Sequence, residues 1–441
     1  MSAAEKPDTH QKALSINLDG SIFGSFAEIG AGQEVARWFL RVGGASGTVA
    51  KTISAYDKEV SDDLYGAGTR YVSRPRLRTM LQAEWEQLLG QLQASRGSTS
   101  KFFSFVDTVS ARNYSGTNEC QGWMGLRFLQ EPRGTPSEVI LHLNLQDPSN
   151  VQQQEAVGIL GVNLIYAVHH ALGSREAFLA SLFEELGLAR MEIDRLELDG
   201  PAFAGWEARE THAYLVAGEY AEAVAFPADG VVVPPSELLY KRALVLAPGR
   251  FDSVEQMHAD LIRDTLAQLP ENELQETKGG LGLFCLATTG QFPEDPKLSP
   301  KDIVDHVEAL RRLGYGALVF REPELYKMSA YANRFTKSRI HFAIGLSVVM
   351  RVFEDRYGHL AGSLLEGIAR LFQQNVRLSV YPMAAKDAEN RALAVRLHGW
   401  KWKETDGMIY GDDLQPGGSM RFLYQYLLSS GFILPAKPKK N

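Results

Sequence analysis

The second half of the chain alternates between short apolar runs and helical patterns, and this alternation constrains the fold most. Five runs are apolar over most of their length, as expected of strands buried on both faces: Ala243 to Leu246, Leu281 to Ala287, Ala317 to Phe320, Ile340 to Leu346 and Val376 to Tyr381. Single helical patterns lie between them: Ser253 to Leu269, Pro300 to Leu313, Pro323 to Phe335, and Val348 to Phe372 with a break at Gly358. Strands joined by one helix each predict a mostly parallel sheet covered by helices.

The first half has a less regular pattern. Ala13 to Leu18 and Ile22 to Phe26 are predicted as short strands around an Asp19-Gly20 turn. Helical spacing predicts one helix from Gly32 and another that begins near Ser46 or Thr48. Further helices are predicted to open at Ser73 and to cover Gln152 to Leu172 and Arg175 to Leu186, with strands at Phe102 to Val106, Trp123 to Phe128, Val139 to Leu145 and Met191 to Leu198. The predicted fold class is therefore α/β, with a mixed α/β N-terminal half and a mostly parallel, helix-covered sheet in the C-terminal half.

The length of 441 residues indicates more than one hydrophobic core, because single cores stop growing at about 250–300 residues. The segment DGVVVPPSE, from Asp229 to Glu237, combines a turn signal with two prolines and suits a linker. We predict a glycine-rich α/β domain over residues 12–232 and an alternating α/β domain over residues 233–435. Residues 386–416, rich in tryptophan and glycine, are predicted to form an irregular insertion in the second domain, before a final helix from Met420 to Ser429.

Charge and cysteine content exclude several classes of function. The chain has 46 basic and 53 acidic residues, and the scattered basic residues form no stripe of the kind that binds nucleic acid. Cys120 and Cys285 lie far apart, so neither a disulfide framework nor a thiolate metal site is indicated, and no HExxH pattern occurs. The polar N-terminus lacks the apolar core of a signal peptide, and the apolar run from Ala156 to Leu172 is too short and polar to span a bilayer. We therefore expect a cytoplasmic protein without a nucleic-acid partner, membrane span or metal.

The glycine-punctuated segment from Asp19 to Asp57 is the first candidate site. Gly30, Gly32 and Gln33 stand at the start of a predicted helix, where unpaired backbone amides attract phosphate or carboxylate groups. Gly30-Ala31-Gly32 matches the first half of a dinucleotide-binding fingerprint, but Val35 occupies the position of the third glycine. The alternative interpretation is a tight turn into a core helix.

Three basic residues complete the predicted ligand site: Arg37, Lys51 and Arg250. Lys51 lies in the segment from Gly43 to Thr52, which resembles a P-loop, although Ala50 precedes the lysine and the glycine spacing differs. The alternative for Lys51 is a solvated lysine on a helix. Arg37 has a structural alternative, an ion pair with Glu34 one helical turn away. Arg250 follows a predicted strand, and ligands of parallel sheets bind beyond the carboxyl ends of strands. No catalytic residue is assigned, because no complete nucleophile motif such as GxSxG occurs, and no motif identifies a cofactor.

Several runs together resemble an uncharacterised bacterial protein family over nearly the full length: residues 18–57, YVSRPRL, QQQEAVGILGVNLIY, ELLYKRALVLAPGRF and LLEGIARLF. Members of that family carry two conflicting descriptions, nicotinamide or nicotinate mononucleotide adenylyltransferase and TonB-dependent receptor. The first description implies a phosphate loop of GxxxPxHxGH type, whereas Gly20 to Phe26 contains neither proline nor histidine. The second implies a signal peptide and barrel-type alternation, which the sequence lacks. No functional residue is carried over from this resemblance.

Two hypotheses follow from the sequence. The first is a protein that binds a small anionic ligand, such as a nucleotide or a sugar phosphate, through Gly30, Gly32, Gln33, Arg37, Lys51 and Arg250. The second is a non-catalytic scaffold or interaction protein, in which apolar helices such as Ala156 to Leu172 pack against other copies of the chain as a homo-oligomer. Burial of those helices within one subunit is equally compatible with the pattern.

Overall fold

The computed structural model describes residues 6–68, 70–251, 253–271, 274, 277–290, 296–353, 357–373, 375–387 and 399–436. It divides into two compact units, Met1–Val224 and Ala225–Asn441. The α/β fold class predicted from the sequence is confirmed in both. The predicted domain limits at 12–232 and 233–435 stay a prediction.

The helices and strands are numbered here in chain order. The helices are α1 (Thr9–Leu18), α2 (Glu34–Arg41), α3 (Lys58–Tyr65), α4 (Arg74–Arg96), α5 (Asn150–His170), α6 (Arg175–Leu182), α7 (Ala208–Ala217), α8 (Pro235–Leu239), α9 (Gln256–Ala267), α10 (Pro300–Arg312), α11 (Leu325–Ala332), α12 (Leu346–Val352), α13 (Ser363–Leu371) and α14 (Met420–Ser429). The strands are β1 (Ile22–Ile29), β2 (Val49–Ile53), β3 (Lys101–Ser110), β4 (Gln121–Phe128), β5 (Ser137–Leu145), β6 (Met191–Asp199), β7 (Ala223–Phe226), β8 (Ala243–Pro248), β9 (Gly280–Ala287), β10 (Gly316–Phe320), β11 (Ile340–Gly345), β12 (Val376–Tyr381), β13 (Met383–Ala384), β14 (Lys401–Trp402), β15 (Met408–Ile409), β16 (Leu414–Gln415) and β17 (Ile433–Pro435).

The N-terminal unit is built on a mixed six-stranded sheet in the order β2-β1-β3-β4-β5-β6. Strands β2, β1 and β3 are parallel, and the pairs from β3 to β6 are antiparallel. The chain leaves β1 for β2 on one side and returns to β3 on the other, so the strand order reverses at β1. Ligand crevices of open α/β sheets lie at such reversals, beyond the carboxyl ends of the strands.

Two predictions for the start of this unit are wrong. The run from Ala13 to Leu18 belongs to helix α1, which begins with a capping box between Asp8 and Gln11. The predicted helix after Ser46 is instead strand β2, followed by α3 with Asp57 as its N-cap. β2 contains three β-branched residues in five, which favour a strand over a helix.

Helix α5 is the central helix of the N-terminal unit. Helices α1, α2 and α6 contact it, and most of its apolar side chains are buried inside the unit. The apolar face that one hypothesis assigned to self-assembly is therefore covered by the subunit's own residues. On the opposite side of the sheet, α4 packs Leu77, Met80 and Leu81 against Val106 and Ile140.

The C-terminal unit contains a seven-stranded sheet in the order β17-β12-β11-β8-β9-β10-β7. The pairs that join β17, β12, β11, β8, β9 and β10 are all parallel, which confirms the predicted mostly parallel sheet. The chain runs from β8 outward to β9 and β10, then crosses to β11 and β12 on the other side of β8. The second reversal of strand order is therefore at β8.

The predicted insertion at 386–416 falls partly outside the described residues, which omit 388–398. Its described part contains the short antiparallel pair β14 with β16, and also β15, which pairs antiparallel with β13 just before the insertion. The predicted final helix is confirmed as α14, and β17 follows it. Within the described part of the chain, no helix is both long enough and apolar enough to cross a bilayer.

Candidate functional site

The glycine turn after β1 has the backbone conformation that its sequence predicts. Gly30 and Gly32 have φ angles of +102° and +81°, which residues with side chains rarely adopt. A Cβ atom on Gly30 would also collide with the carbonyl oxygen of Val109 on β3. These glycines therefore allow a tight turn against β3, in agreement with the structural alternative.

The amides at the start of α2 already bind a carboxylate of the chain itself. Glu28, at the end of β1, accepts hydrogen bonds of 2.9 Å from the backbone amides of Val35 and Ala36. Its side chain is fully buried. An external anion at this turn would compete with Glu28 for the same donors. Binding there therefore requires that the Glu28 carboxylate be displaced from the amides of Val35 and Ala36.

The remaining predicted residues near this turn have other partners. Gln33 is the N-cap residue of α2, but its side chain makes no capping hydrogen bond. Arg37 is 64 % exposed and pairs with Glu34 at 3.1 Å, as the local alternative predicts. Lys51 lies on β2, where its ammonium group is 2.6 Å from Glu84 on α4. The assignment of these residues to a ligand site stays a prediction.

A cleft lies at the reversal of strand order in the C-terminal unit. Its cavity volume is about 30 Å³, or about 400 Å³ when the open solvent at its mouth is included. Its lining residues are Pro248, Pro323, Glu324, Leu325, Val348, Arg351, Val352 and Tyr357. Pro248 ends β8, Pro323 follows β10, and Val348 lies on α12 directly after β11. The cleft is therefore at the carboxyl ends of parallel strands, the usual place for ligands in this architecture.

The walls of the cleft are polar and apolar in about equal measure and contain two opposite charges. Prolines and aliphatic side chains form most of the lining, as in many small-molecule sites. Arg351 is only 8 % exposed, and its guanidinium is a multidentate donor suited to phosphate or carboxylate. Glu324 supplies a carboxylate, which accepts hydrogen bonds from hydroxyl or amino groups. The cleft thus combines apolar contact with one donor and one acceptor.

Arg250 lies two residues after Pro248, in the loop that leaves β8. Arg250 therefore lies at the same edge of the sheet as the cleft. Arg250 is not among the described residues that line the cleft, whereas Arg351 is. A direct role for Arg250 in binding stays a prediction.

Sequence reasoning missed Arg351, which lies in the helical pattern predicted from Val348 to Phe372 with a break at Gly358. The chain forms two helices here, α12 and α13, with the described residue Tyr357 between them. The signal was the break at Gly358, which separates the short helix after β11 from the next one. Asp107 on β3 was also missed, although an acid inside an apolar strand is an unusual feature.

Comparisons with known proteins give a limited result. No family model matches the chain, and no curated protein matches it. A competence/damage inducible protein from Agrobacterium tumefaciens is 19 % identical, with a TM-score of 0.28, over 37 % of this chain and 98 % of that chain. A CinA superfamily protein from Enterobacter cloacae is 10 % identical, with a TM-score of 0.28, over 38 % of this chain and 95 % of that chain. These likenesses are too weak to carry an argument about function.

Proposed function

We propose that the chain binds a small anionic ligand of the nucleotide or sugar phosphate class at the cleft in its C-terminal unit. The observation that carries this proposal is the buried Arg351 in the wall of a cleft at a reversal of strand order. A phosphate on the ligand pairs with the guanidinium of Arg351. Glu324 accepts hydrogen bonds from sugar hydroxyls, and Leu325, Val348 and Val352 contact the apolar part of the ligand.

Strand order supports this location but not a particular reaction. Apart from β7, which precedes β8 and pairs at the β10 edge, the order β10-β9-β8-β11-β12-β17 corresponds to the third, second, first, fourth, fifth and sixth of the remaining strands of the sheet along the chain, as in dinucleotide-binding sheets. Fold alone does not determine function, so the proposal depends on the residues that line the cleft. Arg250 remains part of the proposal as a basic group in the neighbouring loop.

The test measures ligand-induced stabilisation of the full chain. Thermal shift and calorimetric titration are carried out with inorganic phosphate, ribose 5-phosphate, AMP and ADP. A compound at 100 times its dissociation constant stabilises the folded protein by about 2.7 kcal/mol. Arg351→Gln is expected to weaken binding roughly 10- to 100-fold, because a charge-assisted hydrogen bond contributes about 1.5–3 kcal/mol.

Two further variants separate loss of binding from loss of folding. Arg370→Gln removes an exposed arginine that pairs with Glu366 on α13, and it is expected to leave the affinity unchanged. Val348→Phe fills the cleft without changing its charge and is expected to abolish binding. Absence of binding by every compound, or equal weakening by Arg370→Gln, would refute the proposal. A shift abolished by Gly32→Val but retained in Arg351→Gln would instead locate the ligand at the N-terminal turn.

A further inference from the structure

Two carboxyl side chains lie side by side in the interior of the N-terminal unit. Glu28 on β1 and Asp107 on β3 are partners in the register of this parallel pair. Both residues are buried, at 0 % and 1 % exposed. Adjacent strands are about 4.8 Å apart, and register partners point to the same face. Two charges in such a position repel each other strongly, because the interior screens them poorly.

The two carboxyls have unequal hydrogen bonds. Glu28 accepts from the amides of Val35 and Ala36. Asp107 accepts through Oδ1 from the amide of Ile29 at 3.1 Å, and its Oδ2 is buried without a hydrogen-bond partner in the described residues. Donors stabilise the ionised form of a carboxyl group, so when the pair carries one negative charge, that charge resides on Glu28 while Asp107 stays protonated.

The elements on this face add little positive charge to the pair. Glu34 on α2 is a nearby acid, partly offset by its ion pair with Arg37. Helix α5 brings Gly158 and Gly161 to α2, and Met124 of β4 is the register partner of Asp107.

Burial raises the pKa of Glu28 to about 7, with a further increase from Glu34, while the amides at the start of α2 act in the opposite direction. Burial and the charge of Glu28 raise the pKa of Asp107 well above its usual range.

We propose that Glu28 and Asp107 form a proton-binding pair that makes the docking of α2 onto the sheet depend on pH. When Glu28 is protonated, the closed arrangement buries two neutral groups. When Glu28 is ionised, the closed arrangement buries a charge that water would solvate better if the start of α2 opened. Deprotonation therefore loosens the turn from Gly30 to Gln33 and the first turn of α2. This inference is independent of the ligand proposed for the C-terminal cleft.

The direction in which the stability of the closed state changes with pH follows from proton linkage. In the closed state Glu28 has a pKa of about 7, against an ordinary value of 4.5 when exposed. The closed state therefore binds more protons between these values, and it loses stability relative to the open state as pH rises. With these two values, the opening equilibrium increases about tenfold between pH 6 and pH 8.

Hydrogen–deuterium exchange of the full chain tests this proposal. Protection of the peptide that contains Val35 and Ala36, corrected for the intrinsic exchange rate, is expected to fall about tenfold from pH 6 to pH 8. Glu28→Gln should abolish this pH dependence, because the variant lacks the titrating group. Glu34→Gln should move the fall to lower pH, because it removes a charge that raises the pKa of Glu28.

Glu131→Gln, an exposed acid in the loop between β4 and β5, is the control and should leave the profile unchanged. The proposal is overturned if wild-type protection at α2 does not vary between pH 6 and pH 8. It is also overturned if Glu28→Gln retains the dependence, or if Glu34→Gln and Glu131→Gln give the same profile. Glu34 lies partly exposed, so Glu34→Gln provides a test even if Glu28→Gln does not fold.

Discussion

Replacement of two helical glycines by alanine should have different effects on stability. Gly161, in the middle of α5, faces α2 and β3. A Cβ at this position would lie 2.8 Å from Cγ1 of Val35, closer still to Cγ2, and 3.1 Å from Cζ of Phe105. Gly90, in the middle of α4, has no heavy atom within 4 Å of the same position. The two sites thus share a helical backbone and differ in the space available.

The expected magnitudes follow from these contacts. Alanine is favoured over glycine in a helix by about 0.8–1 kcal/mol, and Gly90→Ala should realise most of this gain. At Gly161 the same gain is opposed by overpacking, which costs about 1–3 kcal/mol in a filled core. Val35 cannot yield by a simple rotation, because a helical valine has one strongly preferred rotamer. We expect Gly161→Ala to be about 1–3 kcal/mol less stable than Gly90→Ala.

Differential scanning calorimetry of the two variants checks this prediction. For a unit of the size of Met1–Val224, each kcal/mol corresponds to roughly 2–4 °C in the midpoint of its transition. Gly90→Ala should therefore raise the midpoint, and Gly161→Ala should lower it or leave it near the wild-type value. The reasoning is refuted if Gly161→Ala stabilises the unit as much as Gly90→Ala does.

Two other predictions concern buried side chains. Arg76 on α4 is 5 % exposed and donates at 2.8 Å to the carbonyl of Ser61, so Arg76→Met should lower the free energy of unfolding in urea by about 1–3 kcal/mol. Arg78→Met removes the ion pairs that a half-exposed arginine on the same helix makes with Glu138 and Glu197. It should cost less than about 1 kcal/mol, and equal losses for the two variants would contradict this account. Cys285 is buried and its thiol pKa is raised by that burial, so a thiol reagent should modify Cys120 first in the native protein. Reaction of Cys285 in the native protein at the rate seen after unfolding would contradict the burial of this thiol.

The C-terminal fold was predictable because its strands carry a strong local signal. Parallel strands buried on both faces are continuous apolar runs, and all five predicted strands occur in the sheet. The two strands of this sheet that were missed, β7 and β17, contain four and three residues. Segments this short are too brief to show a period, so their assignment depends on the neighbours that they pair with.

The candidate sites were predictable only in part. Gly30 and Gly32 were identified because backbone positions with positive φ angles favour glycine, and glycine is visible in the sequence. No local sequence pattern predicted the capping of α2 by Glu28, because this contact depends on the angle at which the helix leaves the strand. The cleft joins Pro248 to Arg351, and this proximity results from the order of strands in the sheet. Strand order is a tertiary property that local patterns do not encode.

The position of β17 has a consequence for biosynthesis. This strand covers the outer edge of β12, yet the whole segment from 382 to 432 separates the two along the chain. While the ribosome translates that segment, the nascent β12 presents unpaired backbone groups that other chains can bind.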